Sequence, residues 1–199
     1  MYPGRPVRKG PFAILEVCRF KDTTKDYLTR FYEILDEMIK GMEEAELTDS
    51  LSHNFIVQMI PHHMAAIEMS ENVLQYNPCC PVRSIAENII TMQTKSIQDM
   101  LDVKCTCSKQ TNTQQDLCLY RRRFRQITHT MFTEMGEACS DNNISANFMR
   151  EMIPHHQGAI YMSENALRYC ICPGLQPILE AIIVSQRQGV REMKRLLGE

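Results

Sequence analysis

Tryptophan is absent from this 199-residue chain, and glycine is scarce at 8 residues. No apolar run approaches the ~20 residues that a membrane-crossing helix needs. Each shortage removes a class of function. So few glycines leave no Gly-rich phosphate loop and no dinucleotide-binding fingerprint, and no nucleophile elbow occurs either. Charge of neither sign dominates: 22 Lys and Arg stand against 24 Asp and Glu, a formal net charge of -2. That balance argues against a nucleic-acid partner, which selects a basic face. Arg121-Arg122-Arg123 is the one basic cluster, and in a helical stretch it reads as a solvated face. The N-terminal stretch Met1 to Phe20 carries basic residues, but its apolar run, Phe12 to Leu15, is too short for an export signal. Read as it stands, the chain is expected to be cytoplasmic, or a mature form whose signal was replaced by a start Met.

Sulfur, by contrast, is abundant, with 9 cysteines and 14 methionines. An odd cysteine count cannot pair internally in full. It leaves a free thiol or an intermolecular cross-link, and the second would make a disulfide-linked homo-oligomer.

The strongest pattern is a duplication. Met59-Ile60-Pro61-His62-His63-Met64 returns 93 residues later as Met152-Ile153-Pro154-His155-His156-Gln157. From Asn54 to Tyr76, 15 of 23 positions match Asn147 to Tyr169 without a gap. The same offset relates Tyr27 to Tyr120, Phe31 to Phe124, Ile85 to Ile178 and Gln93 to Gln186. Two units follow, residues 20–101 and 113–194, joined by a polar link from Lys104 to Thr113.

Periodicity within each unit is helical. Tyr27, Phe31, Ile34, Leu35, Met38 and Met42 recur at three- and four-residue steps, and so do Leu117, Tyr120, Phe124, Ile127, Met131 and Met135. These predict first helices over Lys25 to Glu44 and Asp116 to Glu137. The second helices start near Asp49 to Ser52 and Asp141 to Ser145, which supply capping oxygens, carry the His pairs and end near Tyr76 and Tyr169. The third helices follow Pro81 and Pro177. No segment alternates as a strand, so the predicted class is all-α. Pro61 and Pro154 fall inside the second helices, where each either restarts the helix or kinks it and frees a carbonyl.

Met59, His62 or His63, Ala66 and Met69 share one broad helical face, as do Met152, His155 or His156, Ala159 and Met162. Adjacent histidines point about 100° apart, so one of each pair turns inward and the other reaches an edge. Imidazole and thioether together suit Cu(I), or another soft ion such as Ag(I). Against this stands core packing, the ordinary role of a methionine stripe. The repeat comparison weighs between them. Of the methionines after Met1, ten form offset pairs (38/131, 42/135, 59/152, 69/162 and 100/193), whereas among the leucines only 74/167 does. Met and Leu exchange at low cost in a core, so packing alone should have scrambled both. His53 and His129 face Ala146 and Asp36 in the other copy and receive no role.

A di-iron site is excluded, because no Glu-x-x-His spacing occurs; Met59 and Met152 stand where the glutamates would be. Glu71 and Glu164 match each other but lie off the Met69/Met162 face. Cys79-Cys80, Cys170-Ile171-Cys172 and Cys105-Thr106-Cys107 cluster at turns and in the link, with Cys79 and Cys172 in register. Disulfides, a thiolate metal clamp and free thiols are all open readings of them.

The strings Asn54-Phe55…Met59-Ile60-Pro61-His62-His63…Ala66-Ile67-Glu68-Met69 and Phe148…Met152-Ile153-Pro154-His155-His156…Ala159-Ile160-Tyr161-Met162 closely resemble the DUF305 family. The resemblance implies a ferritin-like four-helix bundle built from the two repeats, with an extra N-terminal helix in each. It also implies a periplasmic or extracellular protein, some members of the family being copper-binding proteins linked to copper resistance. Carried over by position, it points to Met59, His62, His63, Met69, Met152, His155, His156 and Met162 as metal ligands. Where members often carry a glutamate in the third helix, Ser96 and Gly189 stand here.

Two functions are expected from this pattern. The first is a Cu(I)-binding, sequestering protein that is not an enzyme, whose binding weakens below about pH 6 as the imidazoles protonate. The alternative is a cysteine cross-linked structural or assembly protein, of a spore or cell-surface layer for example, with no catalytic role.

Overall fold

The structure is a computed structural model that describes residues 20–199. The short run Phe12 to Leu15 and the thiol of Cys18 lie outside the described residues. Six helices follow in order: α1 Asp22–Glu43, α2 Leu51–Leu74, α3 Cys80–Cys107, α4 Gln114–Gly136, α5 Ile144–Ala166 and α6 Gln176–Leu197. No strand occurs among the described residues, and the fold is an all-α helical bundle.

Local chemistry sets the helix starts. Ser50 caps α2 by accepting from the His53 amide, and Asn143 caps α5 by accepting from the Ala146 amide. Prolines occupy the first turn of α3 and α6, where an amide hydrogen would have no helical partner anyway. Asn54 ties the loop before α2 by bonding both the amide and the carbonyl of Thr48, and Asn147 does the same to Asp141. Asn72 and Asn165 donate to the carbonyls of Tyr27 and Tyr120. Those tyrosines in turn meet Tyr76 and Tyr169 edge to face. Much of the repeat identity outside the His pairs therefore holds each unit together.

Within a unit, the His-bearing helix lies in the middle, α2 between α1 and α3 and α5 between α4 and α6. The units meet through α2 against α5, with smaller contacts between α3 and α6 and between α1 and α4. A four-helix core of α2, α3, α5 and α6 leads one to expect the first helices as additions outside it or across one end, yet their apolar faces join one continuous core. Tyr27, Phe31, Ile34, Met38 and Met42 are all buried in the same core as α2 and α5. Their side chains are large and apolar, and each contributes on the order of 1.5–3 kcal/mol only when dry. All ten paired methionines are also buried in this core.

Two further expectations change. Both His-bearing helices run unbroken through their proline, so neither restarts there. Proline still lacks an amide hydrogen, which leaves the carbonyls of Val57 and Arg150 without their usual helical donor. The link is also shorter than Lys104 to Thr113. Helix α3 continues to Cys107, because Met100 and the fully buried Cys107 extend its inward stripe, and only residues 108–113 connect the units.

A disulfide joins Cys107, at the end of α3, to Cys172, in the turn before α6, with Cα atoms 5.1 Å apart. The Cys172 amide donates to the Ser52 hydroxyl and the Ser50 hydroxyl donates to the Cys107 carbonyl, fastening the cross-link to the first turn of α2. Cys79, the register partner of Cys172, is exposed and free, as are Cys80, Cys105, Cys118, Cys139 and Cys170.

Because α2 buries one side on α5, half of the chain should not fold alone. Residues 1–103 are expected to be molten or to dimerise in imitation of the missing unit. A monomeric, cooperatively melting half, seen by calorimetry and sedimentation, is the opposite outcome and would mean two independent domains.

Candidate metal centre

The four paired histidines converge where α2 crosses α5. All are almost fully buried: His62, His63 and His155 at 0 % exposure and His156 at 3 %. The His62 and His155 rings stack with centroids 3.7 Å apart and planes inclined by 27°. His62 Nε2 lies 3.2 Å from the His155 carbonyl oxygen, and His155 Nε2 lies 3.0 Å from that of His62. The reciprocity marks a pseudo-twofold axis between them. A carbonyl oxygen only accepts, so each Nε2 carries the proton and donates it. Each Nδ1 then carries the lone pair, which for His62 faces His63 Nδ1 at 3.5 Å. For His155 that atom is buried and has no hydrogen-bond partner.

The second histidine of each pair turns toward its unit's third helix. His63 Nε2 bonds Ser96 Oγ on α3 at 3.1 Å, and His63 Nδ1 lies 3.5 Å from His62 Nδ1. His156 rests against α6 at Gly189, where an added Cβ would come within 2.9 Å of its ring. A side chain on α6 at this point would have to displace the imidazole.

Burial controls the charge of this quartet. Desolvation holds all four imidazoles below their ordinary pKa, with mutual repulsion added for His62, His63 and His156. His63 is lowered to about 3 and His155 to about 4. The cluster is neutral at pH 7, the protonation state in which imidazole binds a metal.

Met59, Met69, Met152 and Met162 are all buried as well. Met59 and Met152 lie within one turn of their histidines. Met69 and Met162 are about 9–10 Å further along the helix by its rise of ~1.5 Å per residue, in a separate layer of the core. Among the described residues, no three His, Cys, Asp or Glu side chains form a group that could hold a metal ion. The stacked rings of His62 and His155 point their faces, rather than a shared set of nitrogens, at one another. The turn cysteines stay apart from this cluster as a disulfide and as exposed thiols.

Glu151 escaped the sequence reading. It is 1 % exposed and accepts from the Tyr27 hydroxyl of α1. Burial raises its pKa to about 8, against which the Tyr27 hydrogen bond acts only in part. The signal was present: the matching residue is Gln58, so a carboxylic acid replaces an amide one turn before His155.

The family profile described as a domain of unknown function (DUF305) matches residues 52–197. The chain belongs to the DUF305 family. Among solved structures, the chain is similar to a crystal structure of a DUF305 fragment from Deinococcus radiodurans, with a TM-score of 0.55 and 22% identity. That match spans 74% of this chain and 95% of the other, and at such identity it speaks for the DUF305 fold alone. No curated protein matches the chain.

The buried groups predict opposing pH effects. The histidines have lower pKa folded than unfolded, so the stability tied to their neutral form is complete above about 6.5. It is lost as pH falls from there toward 4 and 3 for His155 and His63, by up to ~1.4 kcal/mol per pH unit for each imidazole. Glu151 is raised from 4.5 to about 8, so its contribution is complete below 4.5 and lost as pH rises through 8. Glu151→Gln keeps an acceptor for Tyr27 and removes the ionisation. The Tm of the variant, relative to the parent, should rise progressively between pH 4.5 and 9; a pH-independent difference would contradict the buried neutral acid.

Proposed function

We propose that the protein binds a soft monovalent metal ion, Cu(I) foremost and Ag(I) as its analogue, and sequesters it without acting as an enzyme. The observation that carries this reading is the state of His62 and His155. Their Nε2–H groups are spent on backbone carbonyls, which leaves Nδ1 as the donor atom: that of His155 is buried without a hydrogen-bond partner, and that of His62 faces His63 Nδ1. A ligating histidine commonly has this arrangement, in which a carbonyl fixes the tautomer from behind. His63, 3.5 Å from His62 between the two Nδ1 atoms, adds an imidazole at the separation of two donors in one coordination sphere. Met59 and Met152 supply thioethers and His156 a further imidazole, while Met69 and Met162, about 9–10 Å further along their helices, lie outside this donor set.

Charge favours a monovalent ion. Imidazole and thioether are neutral, and Glu151 is protonated at pH 7 in this core. No anion then compensates the cation, and the cost of burying an ion grows with the square of its charge. A divalent metal would meet roughly four times the desolvation penalty of a monovalent one. The lowered imidazole pKa values also revise the pH expectation. Protons do not compete for His155 until about pH 4 or for His63 until about pH 3. Loss of binding near pH 6 would reflect weakened folding instead.

The test is competition against a chromogenic Cu(I) chelator, with the exposed thiols first alkylated. The parent should compete, and His62→Ala combined with His155→Ala should lose at least about ten-fold in affinity, ~1.4 kcal/mol. Unchanged affinity in the double variant would show the assignment to be wrong. Elemental analysis of protein purified without added metal gives an independent reading.

The exposed Cys79, Cys80, Cys105, Cys118, Cys139 and Cys170 favour a second reading, a disulfide cross-linked assembly protein. In that case non-reducing electrophoresis should show multimers that reductant dissolves, in protein that carries no metal.

A further inference from the structure

Three methionines of the repeats have no offset partner: Met64, Met92 and Met149, which face Gln157, Ser185 and Ile56 in the other copy. Met149 is buried in the core. Met64 and Met92 are the two exposed ones, at 50 % and 43 %. Both belong to the first unit, and both lie beside the same contact. Met64 directly follows His63 on α2. Met92 lies one turn, about 5.4 Å, before Ser96 on α3, and the His63 imidazole bonds the Ser96 hydroxyl. These two side chains lie outside the core in which the ten paired methionines are buried. The matching place in the second unit carries Gln157, Ser185 and Gly189, with no sulfur at the surface.

We infer that Met64 and Met92 form a surface capture site for a soft monovalent ion, from which the ion passes to His63 and the buried histidines. The inference rests on the soft-metal reading of the same centre and adds a direction to it: loading occurs through the α2–α3 seam of the first unit alone. The chemistry is ligand exchange without redox. A thioether–metal bond breaks as an imidazole–metal bond forms, and the neutral imidazole has no proton to release. His63 suits the intermediate place, because its ring spans from Ser96 at the α3 edge to His62 at the centre. Thioethers are soft enough to select the ion and weak enough, at an exposed site, to give it up.

Hydrogen peroxide footprinting reads the site without reference to any activity. Peroxide converts an accessible thioether to a sulfoxide, and a bound ion blocks the sulfur lone pair. Full-length protein with its exposed thiols alkylated is oxidised with and without silver nitrate, and peptides are quantified by mass spectrometry. Met64 and Met92 should oxidise readily alone and be protected by Ag(I), and that protection should persist when His62→Ala and His155→Ala remove the buried site. Met64→Gln with Met92→Ser, the residues of the second unit, should fold with unchanged Tm. This variant should take up Ag(I) roughly ten-fold more slowly to the same final affinity. Equal oxidation with and without Ag(I), or an unchanged uptake rate, overturns the capture site even if the buried centre binds. Absence of any Ag(I) binding by the parent overturns both readings.

Discussion

The pair of reciprocal hydrogen bonds between His62 and His155 constrains everything around it. Each imidazole donates to a carbonyl of the opposite helix, so α2 and α5 can cross only where both backbones come within ring length of each other. The crossing falls one residue after Pro61 and Pro154 in two helices that continue through them. Because successive helical residues point about 100° apart, orienting the first histidine of each pair across the axis sends the second toward its own third helix. His63 then meets Ser96, and His156 meets Gly189. One contact sets the positions of four helices.

That crossing also fixes the electrostatics. Four imidazoles, a carboxylic acid and two tyrosine hydroxyls lie in a core built mainly from Met, Ile, Leu, Phe, Val and Ala, with buried Asn, Gln, Ser and Thr side chains among them. Desolvation keeps each titratable group in its neutral form, lowering the histidines and raising Glu151, Tyr27 and Tyr120. These uncharged imidazoles and thioethers are the basis of the proposed preference for a soft ion of low charge. The two units are not equivalent around this centre. Gln58 opposes Glu151, Ser96 opposes Gly189, and Met64 and Met92 oppose Gln157 and Ser185. The shared residues, such as Asn54, Asn72, Tyr27 and their counterparts, hold the bundle together. These four differences lie around the histidines.

How far the centre could be read in advance varied by residue. The His pairs were evident from their duplication, and the helix starts from Asp49 to Ser52, Asp141 to Ser145, Pro81 and Pro177, because capping and proline act within a few residues of sequence. The cysteines were left open between disulfide, thiolate clamp and free thiol, since Cys79 has the register of Cys172 whereas, among the described residues, it is Cys107 that bonds to it. Glu151 looked like any helical glutamate until α1 was seen to cover it with Tyr27. The first helices were assigned their lengths closely, while their packing partners were not legible, because an amphipathic stripe tells which side is buried and not what it is buried against.

Periodicity, capping and repetition act over one to four residues or at a constant offset, and the sequence by itself therefore determined the all-α class, the two units, the six helices and the four histidines as a set. Ring orientation, tautomer, protonation and the choice of neighbours depend on groups about 30 to 120 residues away, such as Ser96 for His63, His155 for His62 and Tyr27 for Glu151. Those were decided only when α2 packed on α5, since the carbonyl that assigns a proton to Nε2, and the burial that keeps the ring neutral, exist only after the two units have closed on one another.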